Sequence, residues 1–119
     1  MLMRELMQKT ELPSATLRFY EREGLLDERY IERGDNNYRH YKAEAVERVL
    51  MIKYGQSAGF TLAEIKQLMQ AWDAGELTTE DERVYLEQKL AALSAQICTL
   101  EAMRTTIQAK LAKLPLEAP

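Results

Sequence analysis

Few side chains in this sequence could carry chemistry. The single cysteine, Cys98, closes no disulfide within the chain, and with the single histidine, His40, it cannot complete a four-ligand zinc site. No nucleophile with an adjacent base, no glycine-rich phosphate loop and no catalytic constellation of carboxylates can be assembled from the spacings, so an enzyme is not expected. The stretch Asn36-Asn37-Tyr38-Arg39-His40-Tyr41-Lys42 is different: it carries two cations and no anion. Cations so placed suit the backbone oxygens that receive most protein–DNA hydrogen bonds.

The overall charge argues the other way and has to be read locally. With 16 Lys and Arg against 19 Asp and Glu, the net charge of −3 does not fit a generic nucleic-acid binder. The charges are unevenly spread, however: residues 1–60 hold 10 basic and 10 acidic side chains, residues 61–119 hold 6 and 9, and seven of the nine aromatics precede Thr61. At 119 residues the chain fits one domain. No apolar run approaches the roughly 20 residues that span a bilayer, and the polar start Met1-Leu2-Met3-Arg4-Glu5 lacks a signal-peptide core. A soluble, cytoplasmic protein without membrane association is therefore expected.

The elements that must position the cationic stretch are mainly helical. Leu2, Met3, Leu6 and Met7 share one side at helical spacing, which predicts a short amphipathic helix between Leu2 and Leu12. After Leu12-Pro13, a second helix over Ser14 to Glu23 is closed by Gly24, with proline at its start and glycine at the left-handed position past its end. Two short helices with a tight turn make a helix-turn-helix candidate. Next, the turn cluster Gly34-Asp35-Asn36-Asn37 between arms Glu28–Glu32 and Tyr38–Tyr41 predicts a β-hairpin, with Tyr38 and His40 on one side and Arg39 and Tyr41 on the other. A third helix is predicted from Ala43 to Ser57, with Val46, Val49, Leu50 and Ile52 as its apolar positions and Gly59 as its stop. A fourth opens on the capping box Thr61-Leu62-Ala63-Glu64, buries Leu62, Ile65, Leu68, Met69 and Trp72, and ends near Gly75.

A second capping box, Thr79-Glu80-Asp81-Glu82, is expected to start the last helix. Its seam runs through Leu86, Leu90, Leu93, Ile97, Leu100, Arg104, Ile107, Leu111 and Leu114 at spacings of four and three, and Pro115 ends it. A helix from Thr79 to Leu114 measures about 54 Å, too long to pack only on its own small domain. With no second long helix in the sequence, the simplest partner is the same helix of another copy.

Taken together, Thr16-Leu17-Arg18-Phe19-Tyr20-Glu21-Arg22-Glu23-Gly24-Leu25-Leu26, Asn37-Tyr38-Arg39-His40-Tyr41 and Ala58-Gly59-Phe60-Thr61-Leu62-Ala63-Glu64-Ile65 resemble the MerR family of bacterial transcription regulators. The likeness covers essentially the whole chain. It implies a mainly α fold: a winged helix-turn-helix DNA-binding domain over residues 1–75, a dimerisation coiled-coil helix over 76–114 and a short tail over 115–119. It also implies a homodimer on a palindromic promoter, which distorts the spacer between promoter elements so that RNA polymerase engages both. By the family pattern, Thr16, Arg18 and Tyr20 face the major groove or its phosphates, and Tyr38, Arg39 and Tyr41 belong to the wing. For Arg18, DNA contact is expected rather than an internal ion pair, and DNA contact is expected for Arg39 as well. Tyr20 and Tyr41 serve either DNA or packing, Tyr38 leans to packing, and Phe19 belongs to the core. Lys9 and Lys42 are further candidate cations. Dimerisation falls to Leu86, Leu90, Leu93, Ile97, Leu100, Ile107 and Leu111. The weaker alternatives are a coiled-coil interaction adaptor and a simple repressor that leaves DNA undistorted.

Departures from the family pattern carry expectations of their own. Pro13 stands where serine is usual, so the helix cap is lost or moves to Ser14, and Glu11 stands where the turn commonly has glycine. Asn36-Asn37 replaces a glycine-rich wing tip, which asparagine can serve because it tolerates left-handed backbone angles. Metal-sensing members carry a cysteine pair after the long helix, where this sequence reads Pro115-Leu116-Glu117-Ala118-Pro119, and thiol-stress members have cysteine where Tyr54 stands. No metal and no cofactor is expected. Cys98 follows the seam residue Ile97 and is expected as a small buried apolar side chain rather than a sensor.

Overall fold

The computed structural model describes residues 1–34 and 38–117. The order is α1 (Met3–Thr10), α2 (Ser14–Arg22), a single 3-10 turn (Glu28–Tyr30), β1 (Ile31–Arg33), β2 (Arg39–Tyr41), α3 (Glu44–Ser57), α4 (Leu62–Asp73) and α5 (Thr79–Lys113). The chain divides into two compact units, Met1–Glu76 and the stretch from Leu77 onward. Asp35, Asn36 and Asn37, the expected wing tip, and the last two tail residues, Ala118 and Pro119, lie outside the described residues.

In the first unit, α1 and α2 are joined through a turn whose hinge is Glu11, held at a φ of 57°. That left-handed angle suits glycine and crowds the Cβ of any other residue. The turn is held from two sides: the Thr10 hydroxyl donates to the Leu6 carbonyl at 2.7 Å, and Lys53 Nζ donates to the Thr10 carbonyl at 2.9 Å. A lysine from α3 thus satisfies a carbonyl that the end of α1 leaves free. Pro13 occupies the cap position of α2 without any side-chain bond, so the cap is lost rather than passed to Ser14.

Leu6 of α1, Leu17 of α2, Leu26 and, from α3, Val49 and Ile52 are fully buried and form the centre of the core, with Tyr20, Tyr41, Phe60, Ile65 and Met69 around them. Each such aliphatic side chain contributes about 1.5–3 kcal/mol by leaving water. The α3 face that packs is Ala45, Val49 and Ile52, which leaves the expected core residue Leu50 half-exposed. α4 opens on the Thr61–Glu64 capping box and buries Ile65 and Met69, but Trp72 is 46% exposed. The helix turn that was expected to bury Trp72 instead directs Asp73 at Arg48. Gly55 lets α3 and α4 approach: a Cβ there would stand 3.2 Å from Ile65 Cγ1.

The hairpin is shorter on its first arm than expected. Asp27 accepts from the Arg29 backbone N–H at 3.0 Å and closes a 3-10 turn over Glu28–Tyr30, so extended structure begins only at Ile31. β1 and β2 are antiparallel, with Ile31 opposite Tyr41, Glu32 opposite His40 and Arg33 opposite Arg39. Met1 and Tyr41 also exchange backbone bonds, each 2.7 Å long, which ties the inner strand to the chain leading into α1.

The second unit is dominated by α5, 35 residues and about 52 Å long at 1.5 Å per residue. Its capping box is Thr78 with Asp81, one residue earlier than expected. The sequence holds two overlapping boxes, Thr78 with Asp81 and Thr79 with Glu82, and local spacing alone does not choose between them. Glu80, Asp81 and Glu82 lie in the first turn and Lys110 and Lys113 in the last, the arrangement that complements the helix dipole. No described residue of α5 is buried. No described helix is long and apolar enough to cross a membrane.

Candidate nucleic-acid interface

Helical spacing divides α2 into two faces. Leu17 and Tyr20 turn inward, and Arg18 and Arg22 turn outward. Arg18 has no ion-pair partner among the described residues, while the Arg22 guanidinium lies 5.9 Å from the centre of the Phe19 ring, within cation–π reach. Thr16 and Phe19 are half-buried. Phe19 therefore rests against the core and supports Arg22 on its outer side.

The wing is held to this helix by one carboxylate. Arg39 Nη1 donates to Glu21 Oε2 at 2.6 Å, and the Tyr41 hydroxyl donates to Glu21 Oε1 at 2.8 Å. Arg39 and Tyr41 therefore share a side of the hairpin, as strand alternation predicts. Arg18, Glu21, Arg22 and Arg39 line one open depression on the surface. Three guanidinium groups around one carboxylate make a patch with an excess of positive charge, in a chain whose total charge is negative. Sequence reasoning missed Glu21 and Arg22, although both lie within the motif that contains Arg18.

Of the tyrosines, Tyr20 and Tyr41, open between DNA and packing, take the packing role, and Tyr38 departs from the packing expected of it. Tyr20 is 1% and Tyr41 2% exposed, so neither ring offers DNA a face, while Tyr38 is 66% exposed rather than packed. The Tyr20 hydroxyl donates to Gln56 Oε1 at 2.6 Å, which links α2 to α3. Burial raises the pKa of Tyr20; burial first and then the Glu21 carboxylate push Tyr41 up to about 12, so both hydroxyls remain neutral donors.

A second charged cluster fastens the end of α4. Arg48 is almost fully buried; its Nε donates to the Leu25 carbonyl at 2.8 Å, and its two terminal nitrogens donate to Asp73 at 2.9 and 3.1 Å. Arg29 donates to the same Asp73 at 2.9 Å and to Asp27 at 2.8 Å, and both guanidinium groups lie over the Tyr30 ring. Burial on its own would raise the Asp73 carboxyl, but the bonds and charges of Arg29 and Arg48 outweigh it and hold it below its ordinary value. The Arg29 bond lowers Asp27 likewise. Nothing in local spacing pairs residue 48 with residue 73, so sequence reasoning has no signal for this cluster.

On α5, Leu90, Leu100, Ile107 and Leu111 each keep more than 60% of their surface exposed, and Leu86 and Ile97 are also open to solvent. Leu93 is half-buried. Cys98 is exposed, contrary to the expectation of a buried side chain. Among the described residues no group of three or more His, Cys, Asp or Glu is placed to hold a metal ion, and the lone thiol of Cys98 is not a soft-metal donor set.

The sequence matches the family described as "MerR HTH family regulatory protein" over residues 1–72 and the one described as "MerR, DNA binding" over residues 46–110. The chain belongs to the MerR family. It is a MerR-family DNA-binding transcriptional regulator, and the family is one of regulators rather than enzymes. The HTH-type transcriptional regulator HmrR of Rhizobium leguminosarum bv. viciae is 31% identical over 104 residues, 87% of this chain and 78% of that protein. The crystal structure of the transcription regulator PbrR691 from Ralstonia metallidurans CH34, solved in complex with lead(II), superposes with a TM-score of 0.84 at 28% identity, covering 99% of this chain and 91% of that one. HiNmlR, a MerR family regulator lacking the sensor domain and solved bound to promoter DNA, shares the fold at a TM-score of 0.67 and 23% identity, over 94% of this chain and 83% of its own.

Proposed function

We propose that this MerR-family regulator binds a palindromic promoter spacer as a homodimer and controls transcription by distorting that DNA for RNA polymerase. The observation that carries the reading is the depression lined by Arg18, Arg22 and Arg39, where a helix and a wing present cations side by side. Arg18, with Thr16 beside it, is the groove-facing part of α2, and Arg39 with the exposed Tyr38 is the part of the wing that meets the flanking backbone. Tyr20 and Tyr41 support these residues from beneath. The apolar stripe of α5, from Leu86 through Leu90, Leu93, Ile97, Leu100 and Ile107 to Leu111, is the surface on which a second copy packs. A twofold dimer carries two recognition helices, and these engage half-sites about one helical turn, roughly 34 Å, apart. Bending a site of this size costs on the order of 1–6 kcal/mol, which phosphate contacts from both wings offset.

The test begins with selection from a random duplex pool by the full chain, followed by footprinting of the selected site. The expected outcome is a palindrome with enhanced cleavage at its centre and affinity that falls steeply with salt. An undistorted centre would leave simple repression by occlusion. Failure to select any sequence while sedimenting as a dimer would favour an interaction adaptor.

A further inference from the structure

Glu21 is the residue of this surface whose presence the proposed function leaves unexplained. An acidic side chain between Arg18, Arg22 and Arg39 weakens the attraction of the patch for any polyanion. Both of its oxygens are nevertheless engaged, Oε2 by Arg39 and Oε1 by the Tyr41 hydroxyl. Its side chain is 11% exposed, whereas that of Arg39 is 48% exposed. The bond from Arg39 is made through Nη1, and nearly half of the arginine side chain stays in solvent.

We propose, resting on the DNA-binding function above, that Glu21 is a positioning and specificity-determining residue: its carboxylate clasps the wing to α2 through Arg39 and Tyr41 and aims the Arg39 guanidinium at one backbone phosphate of the operator. An arginine held before DNA arrives has less rotamer freedom left to lose on binding. The clasp also fixes how far the wing stands from α2, and both must reach their places on one duplex together. Random-sequence DNA binds mainly through charge, so for it Glu21 is only a like charge near the phosphates. The operator binds through charge and register, and it alone gains from the clasp. Glu21 thus lowers affinity for DNA in general and raises affinity for the operator.

These opposite signs separate a positioning residue from a counter-charge. Binding of the full chain to the selected operator and to a random-sequence duplex is measured across a salt series, for the parent, Glu21→Ala, Glu21→Gln, Arg39→Ala and the Glu21→Ala/Arg39→Ala pair. Glu21→Ala should weaken operator binding about tenfold, the size of one charge-assisted contact, without weakening random-sequence binding. Glu21→Gln keeps one oxygen that can accept from Arg39, while its amide NH2 can only donate to the Tyr41 hydroxyl oxygen, so it should recover part of the operator affinity that Glu21→Ala loses. In the Arg39→Ala background the operator effect of Glu21→Ala should shrink to the part carried by the Tyr41 bond, a coupling that a general loss of folding cannot imitate. Equal gains on both duplexes, no rescue by glutamine, or additive losses in the double variant would each overturn the clasp while leaving DNA binding intact. A parent protein that discriminates no duplex would instead overturn the function on which the clasp rests.

Discussion

The two units of this chain handle apolar and charged side chains in opposite ways. Residues 1–76 enclose Leu6, Leu17, Leu26, Val49 and Ile52, and cover even a buried arginine with a carboxylate and a backbone carbonyl. Among the described residues, no buried side-chain nitrogen or oxygen lacks a partner. No residue of α5 is fully buried, although its apolar residues recur at coiled-coil spacing. A small unit can finish its own core only by turning several elements inward. A single long helix has no such option, and its apolar stripe stays exposed; under the proposed function that stripe meets a second copy.

Charging the stripe of α5 should have the largest effect. Leu93→Glu together with Ile97→Glu should convert a dimer to monomers at micromolar concentration in sedimentation. Four apolar side chains leave the twofold seam, each contributing about 1.5–3 kcal/mol. The near-ultraviolet circular dichroism of the first unit should persist. A parent protein that already sediments as a monomer would end the case for a half-interface.

Asp73→Ala attacks the first unit where it is most exacting. It leaves the buried Arg48 without its carboxylate, and removing one partner of a buried pair costs about 3–5 kcal/mol, to be read from urea unfolding. The same cluster sets an acid limit. Asp27 and Asp73 have folded pKa values below the ordinary one, so their contribution to stability is fully present above an ordinary carboxyl pKa of about 4 and is lost as pH falls through the folded values. Unfolding followed from about pH 6 down to about pH 2 should show this loss in the parent and less of it in Asp73→Ala.

Smaller effects concern DNA. Arg18→Ala and Arg39→Ala should each reduce the slope of log affinity against log salt by about 0.9, whereas Lys110→Ala on α5 should leave it unchanged. An equal reduction by Lys110→Ala would erase the division of labour between the two units. Glu11→Gly relieves a left-handed residue and should raise the urea midpoint by the equivalent of about 0.5–1 kcal/mol; an unchanged or lower midpoint would show that the turn holds Glu11 without strain. Cys98→Ser, on an exposed position, should change stability by less than about 0.5 kcal/mol and leave both sedimentation and operator affinity unaltered.

Features that depend on near neighbours are legible in the order of residues alone. The Thr61–Glu64 box, the stop at Gly59 and the alternation of Arg39 with His40 each follow from a few adjacent residues. Legibility fails by one residue at Thr78, where two boxes overlap, and by three at the hairpin, where the Asp27 side chain draws the chain into a 3-10 turn first. It leaves Tyr20 and Tyr41 open and misplaces Tyr38, because ring and hydroxyl pull in different directions and only the surrounding core decides between them.

The helices and their order, the cationic stretch of the wing and the apolar periodicity of α5 are written in the residue order, since periodicity is a local property of the chain. Tertiary structure decided what no local pattern encodes. It joined Arg48 of α3 to Asp73 at the end of α4, a separation of 25 residues, and brought Arg39 to Glu21 across 18. It also sent Tyr20 and Tyr41 inward and Tyr38 outward. The physical reason is that a charge or a hydroxyl leaves water only where a distant segment supplies its partner, and packing decides which segment arrives.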